Sequence, residues 1–182
     1  AVRHFPGMER NAEYRESIYV GYRYYDTNKI RVQYSFGFGL SYTKFAVTTE
    51  SFREEGEDIL LQVRVKNTGD SAGKEVVQVY ANPPQGRLGK PLRSLAAFRK
   101  TEVLQPGGEE VLSFRISKKE LASYDDSGVT GNKSCYVLEE GSYGFYVGTD
   151  VRSASFAGAF VQETLTVTER LEEALAPVTP FC

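Results

Sequence analysis

Residues 59–66 read ILLQVRVK, and residues 67–70, which follow directly, read NTGD. In the first segment an apolar side chain occupies every second position from Ile59 to Val65. A period of two residues is typical of a β-strand that turns one face toward a core. A cluster of Asn, Thr, Gly and Asp is typical of a turn. The stretch therefore predicts a half-buried strand that ends in a turn.

Further candidate strands and turn sequences continue along the chain. Candidate strands lie at Glu75–Tyr80, Leu92–Val103, Leu112–Ile116, Cys135–Leu138, Ser142–Val147 and Phe156–Val167. Turn signals separate them, such as the paired prolines at 83–84 and the QPGG sequence at 105–108. Seven or so short strands with regular turns are typical of an all-β sandwich of the immunoglobulin or fibronectin type. We therefore predict a β-sandwich over residues 46–167.

Three finer expectations concern the second half of this region. Lys118–Tyr124 is predicted to form one helical turn capped by Ser117. The polar segment Asp125–Ser134 is predicted to be a loop. Cys135–Leu138 and Ser142–Val147 are separated by the Glu140-Gly141 turn, so we interpret them as the two strands of a hairpin.

Residues 1–45 have a different character, with aromatic side chains in a pattern that is neither helical nor alternating. We interpret this segment as an ordered connector whose rings are buried at a domain interface, although a platform for stacking sugars is an alternative. A guanidinium between aromatic rings can stack and form bidentate bonds at once, so Asp26 is a candidate partner for Arg23. The candidate inter-domain contacts are Tyr22, Arg23, Tyr24, Tyr25, Asp26, Phe36, Phe38 and Tyr42.

Residues 168–182 are predicted to be a helical linker or tail. Thr168 is a suitable N-cap, and Leu171, Ala174 and Leu175 have the i, i+3, i+4 spacing of an amphipathic helix. Pro177 would end this helix. Because so short a helix is marginal alone, we expect it to lead into a further domain.

Composition excludes several classes of partner. The 182 residues carry a net charge of −2, so no excess of basic residues favours a nucleic acid or a membrane surface. The longest apolar runs fall short of the roughly 18 residues of a membrane span. The two cysteines, Cys135 and Cys182, do not suggest a disulfide framework, so we expect a cytoplasmic location. We interpret Ala1 as a processed or cut end.

The sequence offers little for catalysis. His4 is the only histidine, so neither a Ser-His-Asp triad nor a His/Cys zinc site is convincing, and we interpret His4 as structural. Glycosidases place two carboxyl groups across a substrate, whereas the acidic pairs here, such as Asp125/Asp126, are neighbours in turns and loops. We predict no catalytic residue, no metal and no cofactor in this chain.

Several motifs together resemble family 3 glycoside hydrolases of the β-glucosidase type. They are YRESIYVGYRYYD at 14–26, FGFGLSYTKF at 36–45, VKNTG at 65–69, AGKEVVQVY at 72–80, LAAFRK at 95–100, LQPG at 104–107, LASYD at 121–125 and the EGSY and VG pairs within 140–148. Ser17 stands where these enzymes usually have Gly, and Phe38 where they usually have His.

The resemblance implies that residues 1–45 are the end of an α/β domain plus a connector, followed by a fibronectin type III-like sandwich. Such a piece would be an accessory domain without the nucleophile or the acid/base group. Its partners would be the barrel and the α/β domain of the same enzyme, which would hydrolyse terminal β-D-glucosyl residues of β-glucoside oligosaccharides. A carbohydrate-binding module is the alternative. The helix predicted at 168–176 further suggests that the barrel follows the sandwich.

Overall fold

The computed structural model describes residues 16–174, which are nearly all β-structure with one short α-helix, α1 (Tyr22–Thr27), and one 3₁₀ helix at Lys118–Leu121. The strands are β1 (Phe45–Glu55), β2 (Asp58–Asn67), β3 (Val76–Asn82), β4 (Ser94–Lys100), β5 (Glu109–Ser117), β6 (Ser123–Asp125), β7 (Cys135–Leu138), β8 (Gly141–Gly148), β9 (Ser155–Gln162) and β10 (Thr166–Arg170). Among these residues, no helix is long and apolar enough to span a bilayer.

Two antiparallel sheets form the sandwich. The first has the strand order β1-β2-β5 and the second the order β4-β3-β8-β9. The apolar positions of β2 from Ile59 to Val65 are fully buried and belong to the same core cluster as Val77 and Val79 of β3 and Phe145 of β8. The alternation in β2 therefore places one face in the core between the sheets, which confirms the predicted all-β sandwich.

Strand β3 is buried on both faces. Val77 and Val79 point into the sandwich, but Gln78 and Tyr80 on the opposite face are buried as well. The connector, residues 16–44, is what covers that face, and its contacts are described below.

The predicted hairpin of Cys135–Leu138 and Ser142–Val147 is wrong. Strand β7 lies between β6 and β10 in a third sheet, whereas β8 pairs with β3 and β9. The two intervening residues carry the chain from one sheet to another instead of reversing it. Alternation specifies the faces of a strand but not its neighbours, so the sequence pattern could not distinguish these arrangements.

The predicted C-terminal helix is also wrong where the structure describes it. Residues Thr166–Arg170 form β10, which pairs with β7 from Thr166 opposite Leu138 to Arg170 opposite Cys135. Pairing with the open edge of β7 outweighs the weak helical preference of so short a segment. The expectation that a barrel follows the sandwich loses this support, and Leu175 lies outside the described residues.

Smaller differences appear at three other places. The predicted last strand, Phe156–Val167, is divided into β9 and β10. The helical turn after β5 is a 3₁₀ helix at Lys118–Leu121, and Ser117 gives it no side-chain cap. The connector contains helix α1, which the irregular aromatic pattern did not predict.

Candidate inter-domain surface

Tyr22, the first residue of α1, anchors the connector on the sandwich. Its ring stacks on Phe36 with centroids 4.5 Å apart and meets Tyr80 edge-on at 6.1 Å. Its hydroxyl oxygen accepts a hydrogen bond from the amide of Leu95 at 2.8 Å. The ring is thus held between a second connector residue and the outer face of the four-stranded sheet. Aromatic pairs of this geometry stabilise a fold by more than the burial of their apolar area alone.

Beneath Tyr22, a short polar chain crosses the sheet. The Tyr80 hydroxyl donates to Oε1 of Gln78 at 2.5 Å, and Nε2 of Gln78 donates to the carbonyl of Thr149 at 2.6 Å. Burial raises the pKa of Tyr80 above its ordinary value, so this hydroxyl keeps its proton. Gly37 has a φ of +91°, and a Cβ there would lie 2.4 Å from Gln78 Nε2. A glycine therefore lets the connector backbone lie directly on the sheet.

The turn after β8 holds the connector at a second point. Asp150 accepts hydrogen bonds from the Ser35 hydroxyl at 2.8 Å and from the amides of Arg152 and Ser153. The amide of Val151 donates to the carbonyl of Phe36 at 2.9 Å. Burial works to raise the pKa of Asp150, but these hydrogen bonds outweigh it and lower the pKa. The carboxylate thus stays charged and ties the two segments together.

Arg152 forms the third attachment. Its Nε lies 2.8 Å from Oδ1 of Asp26, and its Nη2 donates to the carbonyl of Ile30 at 2.7 Å. The predicted pairing of Asp26 with Arg23 is therefore wrong, because a guanidinium more than a hundred residues away takes that place. Arg23 forms no ion pair within residues 16–174 and lies instead at a cleft described below.

Sequence reasoning missed the sandwich side of this contact. Tyr80 lies in strand β3, and Asp150 and Arg152 lie in the turn after β8; both elements receive the connector. Arg93, which directly precedes β4, supports that turn from the sandwich side. The Arg93 guanidinium lies 3.9 Å from the centroid of the Tyr146 ring and donates to the carbonyl of Val151 at 2.7 Å. No local signal marks these residues, since their partners lie far away in sequence. The burial of Gln78 and Tyr80 on the outer face is the structural sign that something covers them.

Several other large apolar side chains of the connector are exposed to solvent. Leu40 is 94% exposed and Tyr42 is fully exposed at 100%, and the rings of Tyr34 and Phe38 pack on each other with centroids 4.9 Å apart. We call the following exposed residues the outer strip: Tyr24, Tyr25, Tyr34, Phe38, Leu40 and Tyr42. The predicted contact residues are thus divided, with Tyr22, Asp26 and Phe36 attached to the sandwich and Tyr24, Tyr25, Phe38 and Tyr42 in the outer strip.

The described carboxylates are occupied in structural roles or lie apart. No group of three or more His, Cys, Asp or Glu side chains is placed to hold a metal within residues 16–174. Asp125 is fully buried and accepts hydrogen bonds from the amides of Gly128, Val129 and Thr130, which shape the loop after β6. His4 lies outside the described residues.

Comparisons with known proteins match part of this chain to a domain family and most of it to β-glucosidases. Residues 75–151 match the fibronectin type III-like domain family. A β-glucosidase of Ruminococcus albus is 51% identical over 169 residues, which are 92% of this chain and 18% of that protein. A β-glucosidase A of Butyrivibrio fibrisolvens is 42% identical over 158 residues, or 77% of this chain and 19% of that protein.

Solved structures give the same result. A β-glucosidase from Paenibacillus barengoltzii superposes with a TM-score of 0.93 at 46% identity, over 97% of this chain and 20% of that one. β-Glucosidase 3B from Thermotoga neapolitana, solved with α-D-glucose, gives a TM-score of 0.82 at 39% identity, over 91% of this chain and 23% of that one. The chain spans about a fifth of the length of these relatives. The chain therefore contains a fibronectin type III-like domain and corresponds to the region around that domain in family 3 β-glucosidases.

Proposed function

We propose that this chain is the accessory part of a retaining, cytoplasmic β-glucosidase that acts on β-glucoside oligosaccharides. In this proposal the chain carries no catalytic residue. It packs on the catalytic barrel and α/β domains of the same polypeptide and stabilises them. The support comes from the relatives, because about four fifths of each relative's own length lies outside the region that matches this chain.

The observation that carries the proposal is the two-sided connector. Its inner side is attached to the sandwich by Tyr22, Asp26 and Ser35, which fixes the backbone in one conformation. Its outer strip presents several large apolar side chains to solvent from one ordered segment. Concentrated apolar exposure of this kind is typical of a surface that another protein surface covers. The inner contacts therefore hold the outer strip ready to dock on the catalytic domains.

The first test compares this chain with the full-length parent enzyme. We expect the 182-residue chain to show no turnover of an aryl β-glucoside, whereas the parent enzyme hydrolyses it. In the parent, L40D combined with Y42S should lower the melting temperature and the activity, because the outer strip then loses its apolar contacts.

The control variant is V103S, which also replaces an exposed apolar side chain but lies outside the outer strip. In the isolated chain, L40D/Y42S and V103S should leave the stability nearly unchanged, since these side chains are exposed there. A parent enzyme in which L40D/Y42S behaves like V103S would contradict the proposal, as would glucosidase activity that stays with the repurified 182-residue chain.

A further inference from the structure

A cleft of about 660 Å³ lies between the connector and the sandwich. Its first wall is formed by Ser17, Ile18 and Arg23 of the connector, its second by the loop 83–91 and its third by residues 120–129. Side chains of β3, β4, β7 and β8 complete the lining. Because the connector contributes one wall, the cleft borders the surface that the proposed function assigns to docking.

The second wall is held rigid by a buried ion pair. Nζ of Lys90 lies 2.5 Å from Oε2 of Glu139, and the two side chains are only 2% and 5% exposed. The same carboxylate accepts the amides of Arg87 and Leu88, while Lys90 also donates to the carbonyl of Pro84. Burying two charges costs free energy. Here the ion pair and its hydrogen bonds hold the backbone of the loop in one conformation. The loop therefore presents a preformed wall.

The third wall is fixed in a comparable way. Asp125 binds three successive loop amides together with the Thr130 hydroxyl at 2.6 Å. Beside it, the rings of Tyr124 and Tyr136 pack together at 5.3 Å and remain partly exposed toward the cleft. Both walls are thus ordered by hydrogen bonds to buried carboxylates.

Apart from Lys90, which pairs with Glu139, four charged side chains that line the cleft have no ion-pair partner among residues 16–174. Arg23 and Arg87 lie on the first two walls, and Glu120 and Asp126 lie on the third. Within residues 16–174 none of these four side chains forms an ion pair or a side-chain hydrogen bond, although the backbone amide of Arg87 binds Glu139. The lining therefore combines apolar surface, two aromatic rings and unpaired charges of both signs.

We propose that this cleft receives a peptide segment of the same enzyme from outside the 182 residues. The segment would place an apolar side chain against Leu88 and Tyr136, an acidic group toward Arg23 and Arg87, and a basic group toward Glu120 and Asp126. Unpaired charges of both signs in one cleft complement a polypeptide better than an uncharged sugar. This inference rests on the proposed function and names the second surface through which the chain docks.

The experiment uses the full-length parent enzyme with a photo-crosslinking amino acid, p-benzoylphenylalanine, at single positions. Introduced in place of Arg87, it should crosslink to a peptide that lies outside the 182 residues of the same polypeptide. Introduced in place of Tyr42, it reports on the outer strip. The control position is Arg53, an exposed β1 residue whose side chain forms no ion pair or hydrogen bond among residues 16–174. The same amino acid introduced there should give no such product.

The outcomes separate the two proposals. Crosslinks from position 42 but none from position 87 would overturn the cleft inference and leave the proposed function standing. The absence of crosslinks from both positions would overturn both. A product from position 87 that maps within the 182 residues would contradict the cleft inference, and so would saturable binding of cellotetraose to the isolated chain that Y136S abolishes.

Discussion

Replacing Glu139 with alanine is expected to lower the free energy of unfolding of the chain by about 3–5 kcal/mol, because the ammonium of Lys90 is then buried without a partner. The amides of Arg87 and Leu88 lose their acceptor at the same time. Urea denaturation followed by circular dichroism measures the change. E102A is the matched control, since the pair of Lys74 and Glu102 is exposed and such pairs contribute about 0–1 kcal/mol.

The same pair predicts a pH dependence. Burial works to raise the pKa of Glu139, but hydrogen bonds from Lys90 and the Arg87 amide outweigh it and lower the pKa below the ordinary value. A lowered folded-state pKa gives stability that is present above the unfolded-state pKa and lost as the pH falls through the folded-state pKa. Between pH 7 and pH 3 the wild type should therefore lose more stability than E139Q. Equal losses in the two proteins would contradict this role for the carboxylate.

The second large effect is expected at Tyr22. The change Y22A removes the stacking on Phe36, the edge contact with Tyr80 and the acceptor for the Leu95 amide. We expect the free energy of unfolding to fall by about 2–3 kcal/mol, somewhat less than for a fully buried aromatic side chain. The milder change Y22F removes only the hydroxyl and should cost about 1 kcal/mol.

Tyr42 provides a control of the same residue type in the same segment. Because its side chain is fully exposed, Y42A should change the free energy of unfolding by less than about 0.5 kcal/mol in the isolated chain. Similar losses for Y22A and Y42A would show that the connector is not divided into an attached and an exposed side.

Much of the sandwich could be predicted from local sequence. The alternation from Ile59 to Val65 specifies β2 and its buried face, because a period of two places every second side chain on the same side. Which strands pair with each other was harder to predict from the sequence. Cys135–Leu138 has the pattern of a hairpin strand, but it pairs with β6 and β10 and not with β8, the next strand along the chain.

The candidate site was predicted on one side only. The density of aromatics in the connector drew attention to Tyr22 and Phe36, which the structure places where the connector meets the sandwich. Arg152 and Asp150 could not be found in this way, since an exposed-looking turn gives no sign that it binds a segment more than a hundred residues away. The choice of Arg23 as the partner of Asp26 relied on sequence proximity, which long-range packing overrides.

Hydrogen exchange tests the central claim that the connector is attached to the sandwich on one side and covered by the catalytic domains on the other. The amide of Val151 bonds to Phe36 and should be protected both in the 182-residue chain and in the parent enzyme. The amides of Leu40 and Tyr42 have no hydrogen-bond acceptor within residues 16–174 and should exchange rapidly in the isolated chain. Slow exchange of the peptide containing them in the parent enzyme is the expected result, whereas equally rapid exchange in both proteins would contradict the account.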